Sequence, residues 1–171
     1  RNFIKPTRIA HNFDIRTLID DVVKLAKAQL KEKEITVTIH DEISTNALLY
    51  GYENELKQVI LNLIHNARDA IDVANNKRPK AIIISSVEKN ERIEVSIKDS
   101  GNGIDPSLRE TIFDQYITTK GDKGTGIGLS VVKSLCDEWK IDIVLISELG
   151  KGSEFSLDFA YTLSTHKSVT L

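Results

Sequence analysis

The chain has 171 residues, of which 40% are hydrophobic and 28% are charged, the composition of one ordinary globular domain. Its formal net charge of −2 leaves no overall basic surface, so we expect no nucleic-acid partner. No apolar run reaches the ~18–20 residues that cross a bilayer, so we expect no membrane contact by this segment. The single cysteine, Cys136, suits a reducing compartment, so we expect a cytoplasmic location. We expect the isolated segment to be monomeric.

The first half of the chain alternates between extended and helical patterns. Residues 1–14 are predicted to be extended. Apolar residues at helical spacing predict an amphipathic helix over 15–33, and the alternation that follows predicts a strand over 35–40. A second, more buried helix is predicted over 53–71, and it ends before a polar loop at 75–80.

The second half is predicted to contain two hairpins and one long helix. Strands over 81–87 and 92–99 form the first hairpin around the polar turn 88–91. The remaining segments are a short helix over 106–113, a mobile loop over 114–125, a helix over 126–139 and a second hairpin of strands 141–147 and 153–161. Together these elements predict an α/β (α+β) two-layer sandwich, a mixed sheet with three longer helices on one face.

Two asparagines, Asn62 and Asn66, lie four residues apart in the second predicted helix. Residues at this spacing share one helix face, with Cβ atoms about 5–6 Å apart. A neutral amide oxygen can ligate Mg²⁺ beside a triphosphate, because the phosphates supply most of the remaining ligands. The same pair could instead cap a neighbouring loop. Asp69 one turn further and the glycine motifs downstream favour the metal site.

Asp99 ends a predicted strand and is followed by the turn 100–103, Ser-Gly-Asn-Gly. A carboxylate held at a strand end can accept a hydrogen bond from an exocyclic amine, and the glycines would let a ring approach the backbone. Adenine presents such an amine, whereas guanine presents a carbonyl at the equivalent position. The alternative is an ordinary turn capped by Asp99, which these residues would satisfy unaided.

A glycine-rich segment over 123–129, KGTGIGL, opens the third long helix. Backbone N–H groups and the positive helix end attract phosphate there. The spacing G-x-G-x-G differs from the dinucleotide fingerprint and from the P-loop. The alternative is that these glycines form a hinge. A hinge next to the mobile loop over 114–125 would let that loop close over the phosphates as a lid. Donor groups for that lid are available on Thr118, Thr119, Lys120 and Lys123.

Taken in this order, the motifs resemble those of the catalytic, ATP-binding domain of bacterial two-component sensor histidine kinases, which has the Bergerat fold. Segment 54–71 resembles the asparagine box, 98–104 the first glycine box, 112–120 the phenylalanine box, 124–133 the second glycine box and 150–157 the last. The match covers about residues 8–161. The forms ARDA and TTK are most similar to the nitrogen-regulation subgroup.

The resemblance implies a protein-histidine kinase domain that binds ATP and Mg²⁺. It would transfer the γ-phosphoryl group to a histidine on a separate dimerisation domain, with a response regulator as an indirect partner. Asn66 would ligate the metal, Asn62 would face the phosphates and Asp99 would recognise adenine; Asn62, Asn66 and Lys120 would be catalytic. The other implied nucleotide-binding residues are Arg68, Asp69, Gly101, Gly103, Ile104, Phe113, Thr118, Thr119, Lys120, Lys123, Gly124, Thr125, Gly126, Ile127, Gly128, Leu129 and Ser153.

The sequence departs from the family pattern at Asp69, where many of these kinases carry a lysine. Arg68 or Lys120 is expected to supply the missing cation. Asn62 stands where the gyrase- and chaperone-type ATPases of the same fold place the glutamate that activates water. Such an ATPase remains the first alternative. A serine kinase of the anti-sigma type and a nucleotide-sensing module are the others.

The phosphoacceptor histidine of the resembled family is not found. His11 precedes Asn12 rather than an acidic residue, and His40 lies on a predicted strand. The domain organisation is therefore predicted as an exit segment over 1–10 from a missing upstream phosphoacceptor domain and an ATP-binding domain over 11–161. The last ten residues, 162–171, carry no core pattern and are predicted to form a flexible tail.

Overall fold

The computed structural model describes residues 8–44, 48–75, 77–114 and 127–163, and it contains a five-stranded sheet with three helices packed on it. In chain order, the elements are β1 (His11–Asp14), α1 (Ile15–Glu32), β2 (Thr36–Glu42), β3 (Leu48–Gly51), α2 (Glu53–Asp72), β4 (Ala81–Lys89), β5 (Arg92–Asp99), α3 (Gly128–Glu138), β6 (Asp142–Glu148) and β7 (Gly152–Ala160). A short 3-10 turn lies at Pro106–Leu108. No helix in these ranges is long and apolar enough to cross a membrane.

The sheet is mixed, with strand order β2-β4-β5-β7-β6. β2 runs parallel to β4, and the other pairs are antiparallel. Buried side chains alternate along the strands and lie in register on one face, as in the row of Ile84, Ile97 and Phe155. One buried face is what a sheet covered by helices on a single side requires. The predicted two-layer α/β fold is confirmed.

α2 is the central helix, because it packs against α1, α3 and the strands β4, β5 and β7. Its fully buried side chains recur at helical spacing: Leu56, Val59, Ile60, Leu63, Ile64, Ala67 and Ile71. Burying each of the larger aliphatic side chains contributes about 1.5–3 kcal/mol. The asparagines Asn62 and Asn66 lie between these positions and are half-buried. Packing of these buried side chains therefore sets the rotation of α2 about its axis, and with it the direction of the side that carries Asn62 and Asn66.

Two elements differ from the sequence predictions. β3 was not predicted; it pairs with β1 in a separate two-stranded sheet, with Leu49 opposite Phe13. The predicted helix over 106–113 is only a 3-10 turn, begun by Asp105, whose carboxylate accepts from the Ser107 amide. Leu163, two residues past the predicted domain end at 161, is buried in the core beside Gly51, and the domain bounds stay a prediction.

The turn between β4 and β5 is tighter than predicted. Lys89 still pairs with Arg92, so Asn90 and Glu91 alone connect the strands. Both have positive φ, 53° and 58°. Two-residue hairpin turns of type I′ require this conformation, which asparagine tolerates and glutamate does not favour.

Glu91→Gly is therefore expected to raise the free energy of unfolding by about 0.5–1 kcal/mol, because glycine adopts positive φ without a Cβ clash. Urea unfolding followed by circular dichroism measures the change. Glu94→Gly, inside β5, is the matched control and is expected to destabilise the domain. A Glu91→Gly variant no more stable than the parent would contradict the assigned turn.

Candidate nucleotide site

The site centres on Asp99, the last residue of β5, which is only 4% exposed. Its Oδ1 accepts hydrogen bonds from the backbone amides of Gly101, at 2.8 Å, and Ser153, at 3.3 Å. Both donors reach the same oxygen. An ionised carboxylate has further acceptor capacity on its second oxygen, so Oδ2 is the atom that a ligand can use.

Burial raises the pKa of Asp99 to about 6. The amides of Gly101 and Ser153 and the positive charge of Arg78 act in the opposite direction, but they do not offset the desolvation. Keeping this carboxylate ionised at neutral pH thus costs folding free energy. A buried carboxyl with a strongly shifted pKa is typical of functional sites.

The glycines near Asp99 allow backbone segments to touch each other. A Cβ on Gly101 would lie 2.8 Å from the carbonyl oxygen of Ala70 on α2. A Cβ on Gly103, where φ is +72°, would lie 2.1 Å from the carbonyl oxygen of Glu148. In the structure, protein backbone occupies the space that a Cβ at either glycine would need, and their predicted place beside a base stays a prediction. They fix the walls of the site.

Ser147, on β6, connects the segment after the Asp99 turn to the start of β7. Its hydroxyl accepts from the amide of Ile104 at 2.8 Å and lies 2.9 Å from the hydroxyl of Ser153. Gly152 has φ of +111°, and a Cβ there would lie 2.1 Å from the Asp99 carbonyl oxygen. The end of β5 and the start of β7 are therefore in direct backbone contact.

One side of α2 connects this turn to the beginning of α3. Asn62, Asn66 and Ala70 follow one another at intervals of four residues, and we call them the α2 ridge. The Asn62 amide donates to the carbonyl oxygen of Gly128 at 3.4 Å, and Ala70 contacts Gly101 at the other end. Eight residues of helix span about 12 Å. The ridge thus runs from the start of α3 to the Asp99 turn.

α3 begins at Gly128, and the residue at its N-cap, Ile127, has no side chain able to cap it. Its first turn contains no acidic residue. A Cβ on Gly128 would meet no atom of the described residues within 4 Å. Within the described residues, the positive end of this helix lies beside Asn62 and is suited to an anion.

Arg68 and Asp69 are paired with each other. The Arg68 Nε donates to Asp69 Oδ1 at 2.7 Å, and the guanidinium also reaches Gln29 on α1. Arg68 projects about 160° around the helix from Asn66. In this arrangement the Arg68 charge lies on the side of α1. Lys120, the other predicted replacement cation, lies outside the described residues, and the assignment stays a prediction.

The remaining predicted site residues divide into two groups. Phe113 packs edge-on against Phe155 of β7, with ring centroids 6.2 Å apart, and Leu129 packs partly buried on the core. The predicted lid residues lie outside the described residues, and their roles stay predictions: Thr118, Thr119, Lys120, Lys123, Gly124, Thr125 and Gly126.

Arg78 and Ser147 were not predicted as site residues. Arg78 donates to the carbonyl oxygens of Gly101, at 2.8 Å, and Lys151, at 2.6 Å. In the sequence, Arg78 is one basic residue in a polar loop, and Ser147 is one residue of a strand. Nothing local distinguishes them, because their partners are distant along the chain.

Residues 51–163 match the family model described as histidine kinase-, DNA gyrase B- and HSP90-like ATPase. The chain belongs to this family. The match spans α2, the Asp99 turn, α3 and β7, and so contains every contact of the site described above except that of Arg68 with Gln29 on α1. The predicted assignment to the catalytic domains of sensor histidine kinases is confirmed by the relatives that follow, whereas the nitrogen-regulation subgroup stays a prediction.

Two curated relatives illustrate the similarity. Sensor histidine kinase ZraS of Escherichia coli K12 is 33% identical over 157 residues, which cover 90% of this chain and 32% of ZraS. Sensor histidine kinase AruS of Pseudomonas aeruginosa is 29% identical over 167 residues, covering 94% of this chain and 16% of AruS. The chain therefore spans about a third of ZraS and less of AruS.

Solved structures show the same fold. The catalytic domain of histidine kinase ThkA is 27% identical, with a TM-score of 0.75 over 90% of this chain and 97% of that domain. Full-length ShkA in complex with AMPPNP is 24% identical, with a TM-score of 0.76 over 98% of this chain and 33% of ShkA. At that identity the ShkA comparison supports the fold alone.

Asp99→Asn is expected to stabilise the nucleotide-free domain at neutral pH. The folded pKa, about 6, lies above the ordinary value of 3.8, so the stability associated with the protonated carboxyl is present below pH 3.8 and is lost as pH rises through 6. Asparagine does not ionise. The variant should be more stable than the parent by on the order of 1–3 kcal/mol at pH 8, with no such gain below pH 4.

Urea unfolding at both pH values measures this difference. Asp105→Asn is the matched control, because Asp105 is exposed and hydrogen bonds from Ser107 lower the pKa of its carboxyl. That variant should show no gain at pH 8. An equal effect of Asp99→Asn at pH 8 and below pH 4 would show that the carboxyl is not desolvated as described.

Proposed function

We propose that this domain binds Mg-ATP and transfers its γ-phosphoryl group to a histidine on a separate dimerisation domain. The imidazole nitrogen would form the new bond to phosphorus, and ADP would leave. The observation that carries the proposal is the α2 ridge, which runs from the buried Asp99 carboxylate to the start of α3. A nucleotide lying along it would place its base at one end and its phosphates at the other.

The base end favours adenine. Asp99 Oδ1 is held by Gly101 and Ser153, so Oδ2 would accept a hydrogen bond from the exocyclic amine of adenine. Guanine would present a carbonyl oxygen at that position, and two acceptors would then face each other. Because the pKa of Asp99 is about 6, the carboxylate is ionised at neutral pH and acts as an acceptor only.

The phosphate end fits a magnesium ion that the nucleotide itself carries. The described residues contain no cluster of three His, Cys, Asp or Glu side chains that could hold a metal alone. Asn66, half-buried on the α2 ridge, offers one neutral oxygen, and Mg²⁺ usually takes only one or two protein ligands beside phosphate oxygens. The ion would neutralise charge on the phosphates, and Asn62 and the start of α3 would hold them in place.

The described residues favour transfer over hydrolysis. Water activation needs a base near the phosphates, and the amide of Asn62 cannot take up a proton. The protein would instead act by positioning and by charge neutralisation, as phosphoryl-transfer enzymes do. His11 is bound to Glu53 at 2.8 Å, and His40 is exposed on the edge strand β2. Neither has the helical setting expected of the acceptor, and His65, which lies on α2, precedes Asn66 rather than an acidic residue. We therefore expect a partner domain to supply the acceptor.

The relatives support the same assignment. ZraS and AruS are sensor histidine kinases, and ThkA has been solved in complex with the response regulator TrrA. For this chain we propose a dimerisation domain as the direct partner and a response regulator as the indirect one. The cytoplasmic location and the monomeric state of the isolated segment stay predictions.

Asn66→Ala is expected to abolish the Mg²⁺-dependent part of ATP binding and to leave the free energy of unfolding within about 1 kcal/mol of the parent, since the side chain lies outside the core. Calorimetry of ATP with and without Mg²⁺ measures the first effect. Asn54→Ala, an exposed amide about 18 Å away on the same helix, is the control and should bind normally. Unchanged Mg²⁺ dependence in Asn66→Ala would favour the loop-capping role.

The reaction itself is tested by mixing the chain with the dimerisation domain of its own protein and labelled Mg-ATP. The expected product is an acid-labile, base-stable phosphohistidine on the added domain, with slow hydrolysis and no self-labelling by the chain alone. Rapid ATP turnover by the chain would indicate an ATPase of the gyrase or chaperone type, and acid-stable phosphate on a protein substrate would indicate a serine kinase.

Gly128→Ala tests the phosphate end of the same reaction. A Cβ at this position meets no described protein atom, so the variant should fold normally. It should nevertheless transfer phosphate more slowly, because the added methyl group would occupy space beside the phosphates. Full transfer activity in this variant would show that the phosphates do not lie beside the start of α3.

A further inference from the structure

Arg78 lies in the loop between α2 and β4 and joins two turns that are far apart in sequence. One guanidinium nitrogen donates to the Gly101 carbonyl at 2.8 Å, and another donates to the Lys151 carbonyl at 2.6 Å. Gly101 belongs to the turn after β5, and Lys151 belongs to the turn between β6 and β7. A planar guanidinium can hold two carbonyls in fixed directions, which the single ammonium of lysine cannot reproduce.

These two turns are the ones that hold the Asp99 carboxylate. Gly101 donates its amide to Asp99 Oδ1 and accepts from Arg78 through its carbonyl. Ser153, two residues after Lys151, supplies the second amide to Oδ1. The Gly150 amide adds a direct bond between the turns, to the Asn102 carbonyl at 2.5 Å. The position of the carboxylate therefore depends on how firmly the two turns are held together.

Arg78 is also the charged group whose field acts on Asp99. Its positive charge lowers the pKa of the carboxyl, in opposition to burial. Ile82, which faces Asp99 across the β4–β5 ladder, is apolar. Of the other charged groups on nearby elements, Glu148 pairs with Lys151, Asp69 pairs with Arg68, and Lys98 lies opposite Glu154. The guanidinium of Arg109 donates to the Ser147 carbonyl.

We propose that Arg78 is a positioning residue for the bound base: it clamps the Gly101 turn against the β6–β7 turn and keeps a positive charge behind the Asp99 carboxylate. This inference rests on the proposed function, because it concerns the group that would accept the adenine amine. Arg78 acts through Asp99 and the two turns. Binding needs the ionised carboxylate, so affinity falls as pH falls through the pKa of Asp99, and loss of Arg78 moves that fall to higher pH.

The test compares Arg78→Gln, Arg78→Lys and the control Lys80→Gln. Lys80 lies in the same loop and loses the same charge, but its ammonium contacts the Lys33 carbonyl at 3.2 Å. Calorimetry of ADP without metal, from pH 5 to pH 8, gives the dissociation constant and the pH midpoint of binding. A ¹³C titration of the Asp99 carboxyl in the nucleotide-free chain follows its pKa without any ligand.

Arg78→Gln is expected to move both the binding midpoint and the carboxyl titration upward by half a pH unit or more. Its dissociation constant at pH 8 should rise about threefold to tenfold, the effect of one lost hydrogen bond. Arg78→Lys keeps the positive charge but loses the two guanidinium donors that bind the two carbonyls. The pKa of the Asp99 carboxyl should therefore stay near that of the parent, while ADP binding at pH 8 should weaken. Lys80→Gln should match the parent in both measurements.

A carboxyl titration in Arg78→Gln identical to that in Lys80→Gln would overturn the assignment, even if the variant binds less ADP. If Arg78→Lys bound ADP at pH 8 as tightly as the parent, the proposed role of Arg78 in clamping the two turns would be wrong. Failure of the parent chain to bind ADP at pH 8 would instead overturn the proposed function, and the nucleotide-free titration would still report on Arg78.

Discussion

The burial of one carboxylate organises this domain. Asp99 ends β5 at 4% exposure, and its charge is retained there by two backbone amides and the field of Arg78. Desolvation outweighs these contacts and raises its pKa to about 6. A folded domain gains nothing in stability from such a group. The unfavourable placement is understandable where the carboxylate must recognise a ligand, since function and stability often oppose each other at binding sites.

The glycines follow from the same constraint. To surround Asp99 with backbone donors, the chain must bring the turn after β5, the start of β7 and the side of α2 into van der Waals contact. At Gly101 and Gly152 a Cβ would meet backbone atoms at 2.8 and 2.1 Å, so only glycine allows these approaches. Gly128 is different, because a Cβ there would meet no atom of the described residues within 4 Å. Glycines that look alike in sequence thus allow close backbone packing at one end of the α2 ridge but are not needed for it among the described residues at the other.

Helix α2 connects stability to function. Its buried aliphatic side packs against the sheet and the other helices, and this packing fixes the opposite, polar side toward the site. Asn62 contacts the start of α3, and Ala70 contacts the Asp99 turn. A shift of α2 would therefore move both ends of the α2 ridge together. Arg8 links the same two helices, since it pairs with Glu55 of α2 and Glu138 of α3.

The sequence by itself determined the long elements and the identity of the motifs, because periodicity of apolar residues and glycine turns are local signals. It located α1, α2 and the β4–β5 hairpin, and it singled out Asn62, Asn66 and Asp99. It did not reveal β3, whose four residues are stabilised by pairing with β1. It also did not show that Arg78 would meet the Gly101 and Lys151 carbonyls, or that Arg68 would turn toward α1. Only the tertiary structure decided these, because each depends on partners that folding brings together from distant parts of the chain.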